Sequence, residues 1–172
     1  MRLRAIVAAL LCVLAAGCKG EQQIAQPREP GPGAMGHFCR MNLAEHSGPK
    51  GQILPKGWTE PLWFSSVRDA LTYVEQDIVS DREIAGFWVN DMAQGTWEAP
   101  QPGSWVEASL AWYVVGSTKQ SGMGGSEAIP FKDRTAAEAF AEAHGGNVSD
   151  YRTARRAVTE APPPGLTEKG GT

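Results

Sequence analysis

The chain has 172 residues and a formal net charge of −3, with 42% hydrophobic and 20% charged side chains. These values suit one globular unit of ordinary size once a leader and a tail are set aside. A mildly acidic chain with no Lys/Arg cluster after its N-terminus is not built to bind nucleic acid.

Met1-Arg2-Leu3-Arg4 is a short basic stretch, and the apolar run from Ala5 to Leu14 is too short to span a bilayer as a mature helix. Leu14-Ala15-Ala16-Gly17-Cys18 then places small residues before a cysteine. This is the pattern of a bacterial lipobox, with Ala15 where leucine is usual; an ordinary secretory signal cut at the same point is the alternative. Residues 1–17 are therefore expected to be a signal peptide, with Cys18 lipidated and 18–34 a flexible tether rich in Gln, Pro and Gly. Acyl chains at Cys18 would give a stable anchor on the periplasmic face of a membrane. Lys19 directly after it favours the outer membrane over the inner, by analogy with enteric sorting.

From Met35 the chain reads as a folded domain. Ser47-Gly48-Pro49-Lys50-Gly51 reads as a turn, and Gln52-Ile53-Leu54 and Leu62-Trp63-Phe64 suggest short strands separated by a second turn at Pro55-Lys56-Gly57. Ser66-Val67-Arg68-Asp69 is a capping box, followed by Val67, Ala70, Leu71, Val74 and Ile78 at helical spacing, so a helix is expected to about Val79. Ile84 to Met92 is apolar and β-prone. Past the loop Ala99–Gly103, strands are predicted at Trp105-Val106, Ala111–Val115 and Ala128–Phe131, where Pro130 points to an edge position or a strand end. Asp133 opens a second helix that Gly145-Gly146 stops. Asn147-Val148-Ser149 returns as a strand, and Asp150 caps a final short helix through Arg156.

The stretch Phe64–Tyr73 can be laid on Phe131–Phe140, with Phe, a polar cap, Ala and an aromatic at matching offsets. This suggests two related strand–strand–helix–strand units, 35–98 and 104–157, before a disordered tail at 158–172.

The chemistry concentrates in Gly36-His37-Phe38-Cys39-Arg40-Met41-Asn42-Leu43-Ala44-Glu45-His46. Of three cysteines, Cys12 leaves with the signal and Cys18 is spent on lipid, so Cys39 is expected as the remaining thiol. A disulfide within the chain and a redox dithiol are then excluded. No phosphate-binding loop, dinucleotide fingerprint or nucleophile elbow occurs, and Cys39 with His37 or His46 lacks a third orienting group, so the chain does not read as an enzyme. Thiolate and thioether donors select Cu(I) over harder ions. On a strand, Cys39 and Met41 would share a face and could reach one ion. Met123, in Gly122-Met123-Gly124-Gly125, is the candidate third donor. His46 and His37 are further metal candidates, with a surface or supporting role as the alternative. His144 closes a helix and reads as structural.

The stretch Gly36 to Ile53 resembles the N-terminal motif of the NosL family, lipoproteins of nitrous oxide reductase gene clusters. Trp112–Ser117, Gly122–Phe131 and Ala136–Gly146 are similar to a second family block, in the same register. Arg40 departs from the family, where glycine is common between the two ligands. The resemblance implies an α+β fold of two ββαβ units. It implies a Cu(I) chaperone for the copper centres of nitrous oxide reductase, with Cys39, Met41 and Met123 as the ligands. NosD and its membrane transporter would be the partners. A passive periplasmic metal buffer or a Zn(II)-binding lipoprotein is the alternative function.

Overall fold

The computed structural model describes residues 25–122 and 124–160. The expected signal peptide, the lipidation of Cys18, the side chain of Met123 and residues 161–172 lie outside the described residues.

Among the described residues, seven strands and three α-helices follow in the order β1 (Gly51–Pro55), β2 (Leu62–Phe64), α1 (Val67–Glu75), β3 (Ile84–Asn90), β4 (Trp105–Glu107), β5 (Trp112–Gln120), β6 (Ser126–Phe131), α2 (Arg134–His144), β7 (Asn147–Ser149) and α3 (Tyr151–Glu160). Two antiparallel sheets form, ordered β2-β1-β3-β4 and β6-β5-β7. In each, the first strand of the unit is central, the second flanks it, and the strand after the helix flanks it on the other side. The echo between Phe64–Tyr73 and Phe131–Phe140 thus corresponds to a shared ββαβ topology, and the fold is α+β.

The differences from expectation lie at the element ends. Trp105–Glu107 does not open the second unit; it pairs with β3 as a fourth strand of the first sheet, Val106 opposite Val89. Helix α1 stops at Glu75, short of Val79, where Asp77 takes a left-handed φ of 53° that a continuing helix cannot accommodate. Helix α3 runs beyond Arg156, so 158–160 belong to the domain and not to a tail: Ala154 and Val158, one turn apart, are buried in the core. Residues 25–34, expected within the tether, lie against the domain. Arg28 exchanges two hydrogen bonds with the buried side chain of Gln52, and Glu29 accepts from Gly103 N and Trp105 Nε1 at 2.8 Å each. Pro130 does sit on an edge strand, as its missing donor requires.

The alternation of β5 explains how the units join. Tyr113 and Val115 face a core shared with Ile53, Phe64, Leu71 and Phe87 of the first unit and with Ala154 and Val158 of α3. Trp112 and Val114 face the other way, onto α2 and a second core of Ile129, Phe131 and Ala137. Two buried carboxylates stitch the same boundary. Asp91, after β3, accepts from Lys132 N at 3.1 Å. Glu127, on β6, is fully buried and accepts from Arg68 N in the first turn of α1 at 2.8 Å and from Ala128 N at 2.9 Å.

Burial drives the Glu127 carboxyl up from 4.5 to about 7; donors on Arg68, Ala128 and Ser66 pull it back, and the charge of Asp69 adds to the rise. A carboxyl raised in the folded state contributes stability that is fully present below its unfolded value and is lost as pH rises through its folded value. Glu127 therefore costs the fold on the order of 3 kcal/mol between pH 4.5 and about 7. Chemical denaturation across that window should show wild-type stability falling relative to Glu127→Gln, which keeps the acceptor without the charge. Parallel pH profiles for the two proteins would contradict this account of the buried carboxyl.

Candidate metal site

Cys39 and Met41 lie on a closed loop and not on a strand. Met35 bridges Asn42 antiparallel, Gly36 N donates to Met41 O at 2.9 Å, and Arg40 N donates to Gly36 O at 2.9 Å. The loop is docked on the free edge of β2: Gly36 forms a parallel bridge to Trp63, and His37 N donates to Trp63 O at 2.6 Å. The reversal between the two sulfur residues needs a left-handed backbone at position 40, where Arg40 has a φ of 57°. Strand alternation is therefore not what relates Cys39 to Met41; a tight turn presents both.

Cys39 is partly exposed, and among the described residues it is the free cysteine. Its Sγ lies 3.3 Å from Ser65 Oγ at the end of β2. The bare Cα of Gly36 lies beside this contact: a Cβ there would fall 2.5 Å from the sulfur and 3.5 Å from Ser65 Oγ. Met41 is 38% exposed, and Phe38 and Met35 on the same loop are also exposed. The loop thus offers a thiol and a thioether to solvent within an apolar rim.

The histidines separate. The His37 ring packs in an aromatic cluster, edge-on to Tyr73 at 5.2 Å and 5.8 Å from Phe64, which is a packing position. His144 stacks on Phe140 at 4.5 Å at the end of α2. His46 is different: it is 93% buried, being 7% exposed, and among the described residues neither of its ring nitrogens has a hydrogen-bond partner. An orphaned buried imidazole is costly unless something binds it. It borders a cleft of about 300 Å³ with Asn42, Leu43, Lys50 and Trp105, whose lining does not include Cys39 or Met41. The backbone of His46 also meets the loop of Met123 closely. A Cβ on Gly122 would fall 2.8 Å from the His46 Cβ and 2.9 Å from Ser47 N, so glycine is what permits the approach. The segment 36–47 thus carries the Cys39–Met41 loop at one end and, at the other, His46 packed against Gly122, the neighbour of Met123; the ring of His37 turns into the aromatic cluster.

Sequence reasoning missed Lys50, which it read as part of a turn. Its buried ammonium donates to His46 O at 2.8 Å, Gly48 O at 2.6 Å and Ser47 O at 3.3 Å. It gathers three carbonyls at the end of the segment and so holds His46 against Gly122. Desolvation lowers its pKa from 10.5 to about 8, with the Glu127 charge opposing. Ser65 was missed as well, because in the sequence it precedes a helix cap and carries no mark of its contact with Cys39.

Left-handed backbone costs a non-glycine residue roughly 1–2 kcal/mol per residue. Arg40→Gly should accordingly raise stability by about 0.5–1 kcal/mol, after the larger entropy that glycine gives the unfolded chain. Denaturant midpoints would show it. A destabilised glycine variant would mean that the Arg40 side chain holds the loop by contacts that outweigh its backbone strain.

The NosL family model matches residues 27–158. The "Copper-binding lipoprotein NosL" of Achromobacter cycloclastes is 44% identical over 155 residues, covering 86% of this chain and 77% of that protein. The protein of the same description from Stutzerimonas stutzeri is 31% identical over 159 residues, covering 90% and 81%. Among solved structures, the copper chaperone NosL from Shewanella denitrificans superposes with a TM-score of 0.69 at 30% identity, covering 74% of this chain and 93% of that one. A family match over most of the described domain, with relatives above 30% identity along most of their own length, shows that this chain belongs to the NosL family.

Proposed function

We propose that this chain is a Cu(I) chaperone and not an enzyme. It takes up Cu(I) through Cys39 and Met41, with Met123 as the third donor, and passes the ion on for the copper centres of nitrous oxide reductase. The ion is cargo and not a resident cofactor. The observation that carries the reading is the sulfur loop: a thiol and a thioether are presented together, partly exposed, at the edge of the first sheet. The relatives' descriptions as copper-binding lipoproteins and as a copper chaperone support it. Among the described residues, no group of three His, Cys, Asp or Glu is placed to hold a metal ion; the donors this loop offers are a thiol and a thioether. Such a soft set suits Cu(I). Few ligands on an exposed loop also leave a coordination position for the receiving protein.

Of the histidines, we assign His46 to the copper site in preference, because its buried ring nitrogens have no partner among the described residues; His37 stays in its aromatic cluster. The lipidated Cys18 would hold the domain on the periplasmic face of a membrane, the outer membrane in preference. NosD and its transporter would be the receiving partners. The N-terminal lipobox pattern and the relatives' description as lipoproteins favour this placement.

Anaerobic Cu(I) titration against a chromophoric chelator tests the reading. Cys39→Ala should weaken binding by about 100-fold or more, which is about 2.7 kcal/mol, and Met41→Leu by about 10-fold. Cu(I) held by the wild-type protein should pass rapidly to a thiolate-bearing acceptor. Equal affinity in wild type and Cys39→Ala would sink the assignment. Comparable Zn(II) binding with no handover would favour a passive metal buffer.

A further inference from the structure

We infer that Ser65 is a positioning residue for copper, acting through the Cys39 sulfur. This rests on the Cu(I) reading above and adds a residue that the Cys-x-Met pattern does not contain. Ser65 is 2% exposed at the end of β2, and its Oγ is 3.3 Å from Cys39 Sγ. The two adjacent serines have different tasks. Ser66 caps α1, its hydroxyl accepting from Asp69 N at 3.4 Å, while Ser65 turns to the sulfur.

In the metal-free protein either the thiol or the hydroxyl can donate in this contact. Metal binding removes the thiol proton. The sulfur is then an acceptor only, so Ser65 Oγ–H must donate to it, and the hydroxyl can do so by rotating its hydrogen without moving a heavy atom. Gly36 lies beside the same contact, since a Cβ there would fall 2.5 Å from the sulfur and 3.5 Å from Ser65 Oγ. The sulfur is thus flanked on one side by the Gly36 backbone and the Ser65 hydroxyl, with its remaining lone pairs left for the ion. A partner of this kind orients a ligand and tunes its donor strength, and losing one commonly costs 10–100-fold in metal affinity. Ser65 reaches the loop from a neighbouring strand of the sheet, so the direction of the Cys39 sulfur is set by the fold and not by the loop alone.

The test loads Cu(I) anaerobically into wild type, Cys39→Ala, Ser65→Ala and the isosteric pair Ser65→Thr and Ser65→Val. Affinity is read by chelator competition, and the thiolate-to-copper charge-transfer band by near-ultraviolet absorption. We expect Ser65→Ala and Ser65→Val to lose about 10-fold in affinity. Their band should move to longer wavelength, because a thiolate without its hydrogen bond gives up charge more easily. Ser65→Thr should restore both. Wild-type affinity and an unmoved band in the Ala and Val variants would overturn the role of Ser65. So would an affinity loss with an unmoved band, or a Thr variant as poor as the Val variant, since each signals packing alone. Should Ser65→Ala fail to fold, the Thr and Val pair, matched in shape, decides the question. Failure of the copper reading itself shows separately, as a Cys39→Ala protein that binds like wild type.

Discussion

A fully buried carboxylate fixes the second sheet against the first helix, at a cost in stability. Glu127 leaves the second sheet, enters the interior and accepts a backbone N–H from the first turn of α1. Isolated charge is expensive to bury, and the site answers by raising the pKa and supplying donors. The consequence is positional. The start of β6 is tied to the first turn of α1, and α1 begins directly after the two serines that follow β2. One of those serines meets the Cys39 sulfur. The two units are therefore tied here by a buried carboxylate, alongside the Asp91–Lys132 contact and the shared core.

The sulfur loop is built on the same economy. It adds to the edge of β2 through Gly36 and His37, which covers part of an edge that would otherwise present unpaired groups. Its turn bends sharply at Arg40, and the absence of a side chain at Gly36 leaves the space that the thiol occupies. Lys50 fixes the far end of the segment by gathering three carbonyls. Between these fixed ends, Cys39 and Met41 stay accessible while His46 is driven inward. That division suits the carrier role proposed above, with the proposed soft donors at the surface and a buried imidazole further along the same segment.

Much of the fold was legible in the sequence because the elements are locally self-consistent. The period of Val67, Ala70, Leu71 and Val74, the cap at Ser66 and the double glycine at 145–146 each name an element on local grounds. The repeat was visible because both units place the same residue types at the junction of second strand and helix. What misled was pairing, which is not local. Trp105–Glu107 has the composition of a strand in either unit, and only its register with β3 assigns it. The extent of α3 was also hidden, since Ala154 and Val158 look sparse until α1 and β5 supply the other side of the core.

The site was legible in its donors and illegible in its support. Cys39 and Met41 stand out because thiol and thioether are rare and close together. Strand alternation was the wrong device for them, because the left-handed turn at Arg40 has no signature in an arginine. His46 and His37 could not be told apart in the sequence; burial and the aromatic cluster separate them. Ser65 and Glu127 act across 26 and 59 residues and Lys50 through backbone carbonyls, and nothing in their immediate neighbours marks them.

The central claim is that sulfur from the 36–41 loop holds the ion. X-ray absorption at the copper edge of the Cu(I)-loaded protein tests it most directly, because it counts sulfur against nitrogen and oxygen neighbours. The account predicts a shell dominated by sulfur, losing one sulfur in Cys39→Ala and one in Met41→Leu. A shell of nitrogen and oxygen that is the same in wild type and Cys39→Ala would contradict it.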